Sequence, residues 1–141
     1  MAVKGDKFGS ATEVLQAPER YRAQRMSKCD PSTAAVGGAQ LVATGRYGSG
    51  KAVEPSSDVI RRLVTLLKDS RVVSDPRASA AEATWVVRLV RGEKKVDVMV
   101  DPVNDRAVVA VDREVVGSYG IAALHREFSD LGDVLFSEAK P

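Results

Sequence analysis

The sequence predicts an α+β fold: an antiparallel sheet in the order strand, strand, helix, three or four strands, helix, with the helices packed on one face. Three observations predict it. Valine dominates residues 84–119, where Val96, Val98 and Val100 alternate with Asp97, Met99 and Asp101. β-branched side chains suit a pleated, half-buried surface, and alternation puts them on one side of it. The runs are joined by Gly92-Glu93-Lys94 and by Pro102-Val103-Asn104-Asp105; connections this short force antiparallel neighbours. Residues 56–70 and 119–136 instead repeat apolar residues at three- and four-residue spacing, the period of a helix.

In chain order, residues 1–12 are small and charged and predict a flexible leader ahead of a single domain over 13–137, with a tail at 138–141. A strand is expected over 19–26, with Tyr21, Ala23 and Arg25 facing one way and Arg22, Gln24 and Met26 the other; Pro18 interrupts a longer helix there. A loop over 28–38, a second strand over 40–46 and a loop over 47–55 follow. The helix over 56–70 has Ser56 or Ser57 to cap its free amides and Asp58 at the positive end of its dipole. Its apolar stripe is Val59, Ile60, Leu63, Val64 and Leu67. Residues 71–83 read as a loop around Asp75-Pro76. The first run of the meander is apolar on both faces apart from Arg88, which predicts a central or doubly covered strand. The closing helix, 119–136, carries Ile121, Leu124, Phe128, Leu131 and Leu135; Gly132 inside it costs about 1 kcal/mol relative to alanine.

The 141 residues suffice for one domain with a core. Lys and Arg number 21 against 19 Asp and Glu, a net charge of +2, so composition alone points to neither nucleic acid nor an anionic membrane. The lone Cys29 excludes an internal disulfide framework and argues against a cysteine metal cluster. No apolar run is long enough to span a bilayer. The opening residues lack the hydrophobic segment of a signal peptide. The setting is therefore the cell envelope or periplasm if a leader has been removed, and the cytoplasm otherwise.

Several constellations bear on chemistry. Gly45 to Lys51 has the GxxxxGK core of a phosphate-binding loop, but Ala52 replaces its magnesium-binding hydroxyl and Pro55 opposes an immediate helix. A Gly/Ser loop between strand and helix fits these residues better. His125 lies at the edge of the last apolar stripe, with Ser129 four residues on and no acid at an orienting position on that helix. Asp97, Asp101, Asn104, Asp105 and Asp112 offer oxygen ligands, without the spacing of a calcium loop. Turns favour Asp and Asn for backbone reasons alone. Trp85 reads as core. Arg20, Arg22, Arg25 and Lys28 form a basic run with no acid between them. The scarcity of aromatics argues against a nucleic-acid face, and charged side chains also guard exposed sheet edges. Arg20, Arg22, Arg25, Lys28, Arg46, Tyr47 and Lys51 make the candidate interaction surface. No catalytic residue, cofactor or metal is assigned.

The stretch WVVRLVRGEKKVDVMVDPVNDRAVVAVDREVVGSYG, followed by a helix ending in VLF, resembles a family of small bacterial lipoprotein-like proteins of unknown function, as does LVTLLKDSRVV upstream. The resemblance implies a non-enzymatic envelope protein. That family often sets cysteines beside its central strands; residues 100–104 and the segment before Trp85 hold none, so no thiol chemistry carries over. By element order alone the chain is also similar to the Roadblock-type dimerisation module. The expected function is a non-enzymatic binding or scaffold module with a protein partner and no nucleic acid. The alternatives are a cytoplasmic Roadblock-like dimerising regulator and, third, a nucleotide binder or enzyme using Gly45 to Lys51.

Overall fold

The computed structural model describes residues 8–25, 53–76, 83–112 and 114–137. Among them are three helices, α1 (Thr12–Gln16), α2 (Ser57–Lys68) and α3 (His125–Ser137). Six strands accompany them: β1 (Arg20–Arg25), β2 (Val73–Ser74), β3 (Trp85–Arg91), β4 (Lys94–Asp101), β5 (Arg106–Val111) and β6 (Glu114–Gly120). The strands form one sheet in the order β1-β3-β4-β5-β6-β2, with every neighbouring pair antiparallel. The chain is thus α+β with an antiparallel sheet, and the valine-rich meander has four strands.

The turns explain the register. Arg91 faces Lys94, leaving Gly92-Glu93 as a two-residue hairpin loop with Gly92 at φ 62°; a positive φ at the first central position is what a II′ turn requires. Between β4 and β5, Asp101 organises the loop. Its Oδ1 accepts hydrogen bonds from the backbone N–H groups of Val103 and Asn104, each 3.1 Å, and its Oδ2 accepts one from Asn104 Nδ2 at 2.8 Å. Asp105 and Asp112 hold positive φ values of 56° and 48°, which short polar side chains tolerate better than branched ones.

Register places the helix-covered core on one side of the sheet, while Val86, Met99, Val108 and Ala110 on the other side are buried as well. Tyr21, Leu89, Val96 and Val111 share a row; Ala23, Val87, Val98 and Val109 make the next; Trp85, Val100, Ala107 and Tyr119 make a third. Against these rows α2 brings Ile60, Leu63, Val64 and Leu67, and Leu124 joins Phe128, Leu131 and Leu135 of α3. The helices therefore cover one face. The N-cap of α2 is Ser56, whose Oγ accepts from the Val59 N–H at 3.3 Å.

Three expectations need correction. Residues 1–12 were predicted to be a leader, yet Phe8 and Ala11 are buried and belong to the core, with Phe8 stacked at a tilt on Tyr119, ring centres 5.4 Å apart. The loop predicted over 71–83 contains β2, whose two residues pair with Gly120 and Tyr119. The last helix does not begin at 119: Tyr119 and Gly120 end β6, and a 3-10 turn at Ala122–Leu124 leads into α3. Pairing on both sides of Tyr119, with Ala107 and with Ser74, holds it in the ladder. The expected loop at 28–38, strand at 40–46 and tail at 138–141 lie outside the described residues. Of the loop at 47–55, residues 53–55 are described, and Val53 makes an antiparallel bridge with Ala23.

Candidate functional site

The same register that builds the core builds the opposite face. Arg22 stands across from Arg88, and Arg88 across from Asp97. The next row is Arg20, Val90 and Lys95. Like charges directly opposed on neighbouring strands repel. Asp97 answers part of that repulsion: Arg88 Nε donates to its Oδ1 at 2.8 Å and Nη2 donates to its Oδ2 at 3.0 Å. This two-pronged fit is the strong form of a charge-assisted hydrogen bond. Asp97 is fully buried, while Arg88 is partly exposed. A carboxylate removed from water needs such a partner.

One carboxylate thus stands in a row with two guanidinium groups. Among the described residues, Arg20, Arg22 and Lys95 make no ion pair. These three and Arg88 line an open cleft of about 750 Å³ on the sheet face away from the helices, together with Glu19 and Glu54. Glu19 is already engaged: it accepts from the Gly92 N–H at 2.9 Å and lies 3.8 Å from Arg91. The cleft therefore carries surplus positive charge, and a concave wall of one sign concentrates counter-ions.

Of the residues proposed from sequence, Arg20 and Arg22 meet in this cleft. Arg25 is in register with Trp85 and belongs to the alternate set of strand positions. Lys28, Arg46, Tyr47 and Lys51 lie outside the described residues, as do Cys29 and the whole stretch from Gly45 to Lys51. Arg88 and Lys95 were not proposed, although Arg88 is the one charged residue inside WVVRLV. That interruption of an apolar run was the available signal.

Three of the remaining carboxylates, Asp97, Asp101 and Asp112, take structural roles. Asp97 serves Arg88 and Asp101 serves its turn, as above. Asp112 Oδ1 accepts from the Lys95 N–H at 3.0 Å. Asp105 lies 2.5 Å from His125 Nδ1. The acid beside the histidine comes from the β4–β5 turn, 20 residues away in sequence and off the helix. Among the described residues, no group of three or more His, Cys, Asp and Glu could hold a metal ion. Nor is any of their helices long and apolar enough to cross a membrane. A smaller hollow of about 370 Å³ lies between α1 and α2, with the core residues Leu15, Ile60 and Val64 in its lining.

No family model matches the chain, and neither a curated protein nor a solved structure matches it.

Proposed function

We propose that the chain is a non-enzymatic binding module that receives an acidic part of a protein partner in the cleft on the β1–β3 face. One observation carries this reading: Arg22 and Arg88 face each other in register while Asp97 neutralises Arg88. A surface that sets cations side by side pays for it in stability, and an incoming carboxylate relieves the repulsion. The resemblance to lipoprotein-like proteins adds the bacterial envelope as the setting. The test is a titration of the chain with a fluorescent acidic peptide and with a basic peptide of equal length. The acidic peptide is expected to bind, more weakly as salt rises, and to lose affinity on Arg22→Gln. Equal behaviour of the two peptides would remove the proposal.

A second reading, a Roadblock-like dimerising module, draws on β6. Among the described residues its partner β2 pairs with Tyr119 and Gly120, and Val115 and Val116 are 46% and 38% exposed on the same strand. Strand edges with exposed apolar residues invite pairing with another chain. Sedimentation across a concentration series decides it: a strict monomer rules it out.

A further inference from the structure

We infer that the segment received by the cleft is an extended polypeptide with acidic residues at alternate positions, (Asp/Glu)-x-(Asp/Glu). This rests on the cleft being a protein-binding site. Arg20 and Arg22 are two residues apart on β1, so their rows are about 7 Å apart along the strand. An extended ligand repeats its same-side residues at that same spacing, because its own rise per residue is the strand's. Neighbouring acids in such a ligand point to opposite sides, and only one of them can reach the cations. A helical ligand repeats every ~5.4 Å and falls out of step with the two rows.

The surroundings sharpen the pattern. Val90 stands in Arg20's row between β1 and β4, with Lys95 beyond it. The cation on β4 is about 10 Å from the β1 position, two strand spacings away. The bound segment therefore meets positive charge on both sides of an apolar middle. Glu19 and Glu54 line the same cleft and oppose a long acidic run, so the recognised pattern is short. A nucleic-acid backbone also presents regularly spaced anions, but single strands are held by stacking on aromatic rings. Tyr21 is the aromatic residue of this lining, and it occupies a core-side position opposite Leu89, packed against the core.

The experiment uses labelled peptides of equal length and net charge, long enough for a helix to form, and the full chain at about 50 mM salt, where screening is modest. In one peptide two glutamates are at alternate positions, in a second they are adjacent, and in a third they are four apart in a helix-favouring background. A thymidine oligonucleotide is the fourth probe. The alternate peptide is expected to bind about five-fold tighter than the adjacent one, the scale of one exposed ion pair. Arg20→Gln and Arg22→Gln should each remove that preference while the circular dichroism spectrum stays unchanged. Equal affinity for the three peptides overturns the alternate pattern and leaves the basic, acid-binding cleft standing. Tighter binding of the helical peptide or of the oligonucleotide overturns the extended polypeptide. If no acidic peptide binds, the cleft itself is not the site, and the proposed function falls with it.

Discussion

The indole of Trp85 lies against the backbone of Gly132: a Cβ built on that glycine would stand 2.7 Å from Trp85 Nε1. The missing side chain lets α3 sit directly on the first strand of the meander. Sequence alone counts Gly132 as a weak point in a helix, worth about 1 kcal/mol against alanine. The close approach reverses the sign. Gly132→Ala is expected to destabilise by ~1–3 kcal/mol, as overpacking does, despite better helix propensity. The denaturant midpoint should fall with an unchanged slope. Combining it with Trp85→Leu should shrink the effect, because neighbours in contact are not additive.

Asp97 and Arg88 make the second prediction. Asp97→Asn removes the charge that Arg88 grips at 2.8 and 3.0 Å. Breaking a buried pair from one side costs roughly 3–5 kcal/mol. The partial exposure of Arg88 puts the expected loss at the lower end. The double variant Arg88→Met, Asp97→Leu should lose less than the single one, since neither charge is then stranded. Urea unfolding of the three proteins checks this; a double variant less stable than Asp97→Asn would mean the ion pair itself is a net source of stability.

Asp101 makes a similar case in a turn. Its carboxylate accepts three hydrogen bonds, from Val103, Asn104 and the Asn104 side chain. Each is worth about 1 kcal/mol net, so Asp101→Ala should lose about 2–3 kcal/mol. Asp101→Asn keeps an oxygen for the two backbone donors and should lose clearly less. Thermal melts of the pair test the assignment: equal losses would show that the charge, rather than the turn geometry, is what matters.

How much of this was legible follows from which interactions are local. The alternation of Val96, Val98 and Val100 and the stripe of α2 are periodic within one element, so sequence exposes them. β2 has only Val73 and Ser74, too few to show any period. The apolar spacing beyond Tyr119 is helical and predicts helix there; its place in β6 comes from pairing with Ala107 and Ser74. Phe8 sits among small and charged residues and gains its meaning only from Tyr119. The cleft is a mixed case. Arg20 and Arg22 are visible as a basic run, but Arg88 and Lys95 join them through register with β1 and β4. No pattern along the chain brings those four together.

Tyr119 gives the last prediction. Burial raises its phenol above the ordinary value of 10.0, because a phenolate is poorly solvated there. The folded state then holds this proton more tightly than the unfolded chain does. The corresponding stability is fully present below the unfolded value and is lost as pH rises through the raised folded one. Tyr119 is buried, with its ring and hydroxyl over Gly117, where a Cβ would fall on them. Between about pH 9 and pH 11, around the reference tyrosine value, the wild-type chain should lose more stability than Tyr119→Phe. Urea midpoints at the two pH values measure it. Parallel losses in the two proteins would mean that other groups carry the alkaline transition, and that Tyr119 ionises without cost to the fold.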